Sequence, residues 1–217
     1  MAAAIKKPFT VKGFKVTSPK GEALWCKIDK PDRAFNKKGT YSVDLVCDPE
    51  GPGVPEFIDK LESLRDTVLE QANKGKPKPR QYKPRDVYKE DYDKDGEPTG
   101  NIVFKFKMNN VDDRKPGQNK VKLVGPKASA GEIPMVTIGN GSTIRCAGFA
   151  NPYAMASDKT IGVSLILEKV QLINLIEFGG GDEFEDEEGE LPEGVAKDDE
   201  FTDEEGNYEE ESDDADF

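Results

Sequence analysis

The chain has 217 residues, 34% of them charged, with 43 Asp and Glu against 31 Lys and Arg, three Cys and no His. The lack of histidine removes the commonest general base, the usual Ser and Cys triads and most zinc sites. No apolar run approaches the length of a membrane span, and the opening residues MAAAIKK lack a signal-peptide core, so the expected place of action is the cytoplasm, without membrane contact.

Residues 9–16 alternate in polarity and predict a strand bent at Gly13. Residues 24–28 predict a second strand, with Leu24, Cys26 and Ile28 inward and Trp25 and Lys27 outward. Between it and a third strand at 41–46 runs a basic connection carrying Arg33, Phe35, Lys37 and Lys38. The turn Asp48-Pro49-Glu50-Gly51-Pro52-Gly53 then leads into a helix over Val54–Asn73. There Phe57, Leu61, Leu64 and Val68 form an apolar stripe at helical spacing, a core-packing pattern, with Pro55 at the start and Gly75 after the end.

Residues 75–100 read as a long irregular insertion, since Pro77, Pro79 and Pro84 oppose regular structure. Arg80, Lys83 and Arg85 interleave there with Tyr82 and Tyr88. Asp91, Asp93 and Asp95 alternate before Gly96 as in a calcium loop, but position 102 is Ile where a bidentate Glu is required, so no metal is expected. Further strands are predicted at 101–108, 120–124, 133–138 and 142–149. The last strand, 160–178, slips phase: Ile161, Val163, Leu165 and Leu167 share a face, then Val170 and Leu172 continue on even numbers. A bulge near Glu168-Lys169 accounts for the slip. The three cysteines, Cys26, Cys47 and Cys146, have no ligand or redox spacing and read as buried thiols of a reducing compartment.

Residues 179–217 hold 20 Asp and Glu against the single base Lys197, a net −19, whereas residues 1–178 carry 30 Lys and Arg against 23 Asp and Glu, a net +7. The chain thus divides into a basic body, 1–178, and a polyanionic tail, 179–217. Sparse apolar residues and mutual repulsion predict disorder for the tail. Its coil reach of roughly 35 Å spans a small domain, and tethering holds it at about millimolar concentration over the body.

About eight short strands and one helix make the body an all-β barrel with an inserted α-helix, and an OB-type Greek key is a strong fit. Its surface combines cations with aromatic rings, the pairing that single-stranded polynucleotides require. Lys105 and Lys107 project from one strand, Lys120 and Lys122 from another, and Arg145 from a third, with Tyr153 after a turn at Asn151-Pro152. A solvated lysine face is the alternative for any one pair, but repetition on several strands favours binding. No cofactor is implied.

Several segments carry a family resemblance. They are Arg33-Ala34-Phe35-Asn36 leading into Tyr41-Ser42-Val43-Asp44-Leu45, Phe104-Lys105-Phe106-Lys107, Pro152-Tyr153, and the last strand running through Phe178-Gly179-Gly180-Gly181 into a tail ending Asp216-Phe217. The chain resembles the OB-fold single-stranded DNA-binding proteins of short-tailed coliphages. The resemblance implies a replication and recombination protein in the cytoplasm of the infected bacterium. Such a protein coats single strands, aids annealing and forms a homodimer, a state on which the residues themselves are silent. It further implies that Tyr153 and Arg145 contact DNA. The acidic tail would occlude the groove and contact the phage DNA polymerase and helicase through Asp213, Asp214, Asp216 and Phe217. The match weakens over residues 75–100 and at Ala147, where a basic residue beside Arg145 would fit the family better. The rival reading is an acidic chaperone or assembly factor whose tail binds basic clients.

Overall fold

The computed structural model describes residues 8–111 and 119–177, so the acidic tail with Asp213, Asp214, Asp216 and Phe217 lies outside the described residues. Its strands are β1 (Phe14–Thr17), β2 (Gly21–Asp32), β3 (Thr40–Cys47), β4 (Lys83–Pro84), β5 (Lys89–Tyr92), β6 (Pro98–Asn109), β7 (Lys122–Val124), β8 (Thr143–Met155) and β9 (Thr160–Asn174). The helix α1 (Val54–Asn73) enters between β3 and β6.

Five of the strands close a ring. β2 pairs with β3, β3 with β6, β6 with β9 in parallel, β9 with β8, and β8 returns to β2. Numbered along the chain, the ring strands pair in the order 1-2-3-5-4-1, the Greek-key closure of an OB barrel. Alternation does the sorting of faces. In β3, Tyr41, Val43, Leu45 and Cys47 are buried while Thr40, Ser42, Asp44 and Val46 are only half-buried. Phe104, Phe106, Ile144, Ile161 and Leu167 complete the interior from β6, β8 and β9.

The helix has the predicted bounds. Gly53, at φ 79°, turns the chain into it, and Phe57, Leu61, Leu64 and Val68 are buried along the predicted stripe. Phe57 meets Phe104 edge-to-face at 5.1 Å, tying the helix to the barrel interior. Arg65, also buried on the helix, is paired in place with Glu62 and Asp66, while its Nη1 donates to the carbonyl of Arg85.

The bulge in the last strand is present. Ala147 pairs with Lys169 and Gly148 with Leu167, which leaves Glu168 unpaired between them. Opposite the bulge, a Cβ on Gly148 would lie 1.8 Å from the carbonyl oxygen of Ile166, so only glycine fits there.

Other expectations need correction. The first strand covers only Phe14–Thr17, with residues 8–13 irregular ahead of it. Residues 133–138 form no strand, because Pro134 interrupts the pattern and only an isolated Val124–Glu132 bridge precedes them. The segment 75–100 is more regular than its prolines suggested. It contains the short β4, held parallel to β9, and a β5–β6 hairpin. The alternating aspartates belong to that hairpin's turn, where Asp93 Oδ1 accepts the backbone N–H groups of Asp95 and Glu97 at 2.9 Å each. Among the described residues no group of three or more acidic, Cys or His side chains is placed to hold a metal, and no helix is long and apolar enough to cross a membrane.

All three thiols are free, Cys47 and Cys146 buried and Cys26 half-buried. Desolvation pushes Cys26 and Cys47 up to about 12, with Asp29 adding to the effect at Cys26, and burial likewise raises Cys146 well above its ordinary value.

Candidate nucleic-acid interface

The outer wall of β2, β3 and β6 and the connection between β2 and β3 together form a groove. Trp25, Lys27, Asp32, Phe35, Lys105 and Lys107 line it. The register explains the assembly. Ser42 sits between Lys27 on one neighbour and Lys107 on the other, and Asp44 faces Lys105. Inward positions of the same strands fill the barrel, so the odd-numbered lysines of β6 have nowhere to go but outward.

Two aromatic rings stand open in this groove. Trp25 is 65% exposed and Phe35 fully so. Neither exposure is accidental in its backbone. Trp25 sits at φ 51° in a bulge of β2, where the register to β3 shifts between Leu24 and Lys27. That bulge also flips the strand's phase: Ala23 is buried before it and Ile28 after it, while Leu24 and Cys26, predicted inward, are only half-buried. Asn140 Oδ1 accepts the Trp25 backbone N–H at 2.9 Å and holds the bulge from a distant loop.

Phe35 rides on a loop stitched by its own side chains. Asp32 Oδ1 accepts the N–H of Ala34 at 2.8 Å, and Asn36 Oδ1 that of Lys38 at 3.1 Å. Asn36 Nδ2 also donates to Thr40 Oγ1. Such local side-chain-to-backbone bonds make a connection rigid without burying anything.

The cations of the groove are not equivalent. Lys27 Nζ donates to Asp32 Oδ2 at 2.6 Å, and this bond with that from Ala34 holds the Asp32 carboxyl below its ordinary range. Lys105 Nζ donates to Asp44 Oδ2 at 2.9 Å. Lys107 has no such carboxylate among the described residues, and Arg33 and Lys37 are exposed on the loop. A rigid cationic trough with two open rings suits a flexible polyanion carrying flat faces.

The residues singled out from sequence are divided by the structure among three places. Arg33, Phe35, Lys37, Lys38, Lys105 and Lys107 belong to the groove or its loop. Lys120, Lys122 and Arg145 belong to a different wall: β7 and β8 flank β9 there, with Lys122 beside Lys169 and Arg145 beside Gln171. The remaining group comes after α1. Tyr82 is clamped to the helix end, its N–H donated to Asn73 Oδ1 and its carbonyl accepting from Asn73 Nδ2, with Lys76 over its ring at 4.6 Å. Tyr88 packs edge-on against Phe104. Arg80 lies in a 3-10 turn, and Lys83 and Arg85 run along the start of β9. Arg85 Nη1 reaches Met155 Sδ at 3.2 Å. Tyr153 is not beyond a turn, as the Asn151-Pro152 pair suggested, but within β8, its ring across Gly162 of β9.

Alternation places Trp25 outward, but the strand that carries it lacks the interleaved cations and rings that mark the other candidate segments. The signal that finds it is chemical: the chain's only tryptophan, on the outer face of a strand that ends in a basic, aromatic loop.

The family described as the single-stranded DNA-binding protein of bacteriophage T7 matches residues 20–175. The chain is 29% identical over 201 residues to the single-stranded DNA-binding protein of Enterobacteria phage T3, covering 85% of this chain and 84% of that one. To the protein of the same name from Escherichia phage T7 it is 31% identical over 188 residues, covering 78% and 81%. The crystal structure of the bacteriophage T7 protein superposes with a TM-score of 0.59 at 25% identity, covering 83% of this chain and 99% of that one.

Proposed function

We infer function from a plain premise: this chain belongs to the single-stranded DNA-binding protein family of bacteriophage T7. It is a phage-type single-stranded DNA-binding protein, a binder and not an enzyme. Family membership favours this over the acidic-chaperone alternative.

The surface we assign to the DNA is the groove of β2, β3, β6 and the 33–39 loop. One observation carries the assignment: Trp25 and Phe35 stand exposed in the same trough as Lys27, Lys105 and Lys107. Bases stack on the two rings, each worth roughly 1–3 kcal/mol, without choice of sequence because every base offers a face. Arg33, Lys37 and Lys107 take phosphates directly. Lys27 and Lys105 exchange a carboxylate for a phosphate, so each adds less than an unpaired lysine.

The acidic tail acts as a gate. Held at high effective concentration over a basic body, it competes for the groove until a DNA strand displaces it. The freed tail then contacts the phage DNA polymerase and helicase through Asp213, Asp214, Asp216 and Phe217. A homodimer and a role in replication, recombination and strand annealing complete the proposal.

Titration of a poly-dT oligonucleotide with the full chain and with residues 1–178, at several salt concentrations, tests both halves. Binding by both forms, tighter for the shorter, supports groove and gate together. Binding of equal strength at low salt rejects the gate, and no binding by either form rejects the groove.

A further inference from the structure

The barrel carries a second basic groove, on the wall that β1, β8, β9 and β7 share. Lys15, Lys120, Lys122 and Lys169 line it, and Glu168, the bulged residue of β9, is its one carboxylate among the described wall residues. It arises from the topology. β9 pairs with β6 only at Phe106–Leu165 and Lys107–Ile166, then with β7 from Lys169 onward. The handover leaves a split in the wall, and the bulge lies in it.

Its chemistry differs from that of the first groove. Lys122 is tied to Glu132, and Lys15 Nζ covers the Phe149 ring at 5.7 Å, so that ring is occupied. Among the described residues no aromatic side chain lines this groove. Lys120 and Lys169, both exposed, have no ion-pair partner among the described residues. A surface of cations without open rings binds backbone phosphates but has nothing for bases to stack on. The two grooves share no wall residue, yet they adjoin: Lys107 lines the first and Met108, the next residue of β6, lines the second.

The geometry points to a phosphate-only extension of the DNA track, in which a strand stacked in the first groove continues past the end of β6 and is held by Lys120 and Lys169 through its phosphates alone. This rests on the assignment of the first groove to DNA. It makes the affinity gain from a longer strand purely electrostatic, and it divides the contacts into a stacking segment and a tethering segment.

The test uses the full chain and the fluorescence of its single tryptophan, Trp25, quenched by oligo-dT of increasing length. Wild type gains affinity and a steeper log–log salt dependence as the oligonucleotide outgrows the first groove. In Lys120→Gln/Lys169→Gln the short oligonucleotides bind as before, while the long ones lose that gain and their salt slope falls by about 1.4, at ~0.7 for each lost phosphate contact. Lys120→Arg/Lys169→Arg restores both. An unchanged slope on long oligonucleotides overturns the extension. So does an equal change on short and long ones, which would point to the chain's own acidic end as the occupant. Absence of quenching by any length in the wild type rejects the first groove and the extension with it.

Discussion

The side chain of Asn140 holds the backbone of Trp25: Oδ1 accepts the Trp25 N–H at 2.9 Å across 115 residues of sequence. The bond fixes a residue whose φ of 51° is unfavourable for a bulky side chain, and thereby fixes where the indole points. Asn140→Ala is expected to cost about 1 kcal/mol of stability, the net worth of such a bond. Because the bulge then relaxes, it should also weaken oligonucleotide binding more than the stability loss alone accounts for. Thermal melting and titration of the same variant separate the two effects.

Trp25→Ala should leave stability almost untouched, since the ring is mostly in solvent, while costing roughly 1–3 kcal/mol of DNA affinity. Unchanged affinity in an anisotropy titration would remove Trp25 from the interface.

Lys105→Glu/Lys107→Glu is expected to abolish binding at moderate salt. The single changes should rank unequally: Lys107→Gln should lower the salt slope by about 0.7, the value of one full contact, and Lys105→Gln by less. The reason is Asp44, which already neutralises Lys105 in the free protein. Equal slopes for the two variants would show that the ion pair does not persist in solution.

Gly148→Ala should be destabilising by about 3 kcal/mol or more, because the added Cβ meets backbone rather than a side chain that can move. Urea unfolding measures this directly, and a loss under about 1 kcal/mol would mean that the bulge at Glu168 can shift.

The thiols predict an alkaline limit. Cys26 and Cys47 titrate near 12 in the folded chain against an ordinary 9.0, so the folded state keeps protons that the unfolded state has released. Their contribution to stability is complete below pH 9 and is lost as pH rises from there towards 12. Urea midpoints measured between about pH 8 and 11 should therefore fall, and a Cys26→Ala/Cys47→Ala variant should fall less steeply. At neutral pH a thiol-alkylating reagent should label these residues only after unfolding.

Sequence revealed what depends on near neighbours. The α1 stripe and the β9 phase slip are local patterns, and both appear where periodicity puts them. It failed where a distant partner decides. Alternation placed Trp25 outward but could not show the bulge that Asn140 holds. Tyr82 and Tyr88 looked like open rings among cations, yet one is pinned by Asn73 and the other packs on Phe104. Lys105, Lys107, Lys120 and Lys122 look alike in sequence, and only the closure order of the barrel assigns them to different grooves.

That closure order also governs how the protein is made. β9 pairs with β4, β6, β7 and β8, yet among the strands of the described residues it is the last to be synthesised. Until it emerges, β8 presents an unpaired edge, and β6, covered by β5 nearer its start, stays open at Phe106 and Lys107, where its parallel partner is still to be made. The nascent body must wait, open-edged and prone to association, for its final strand.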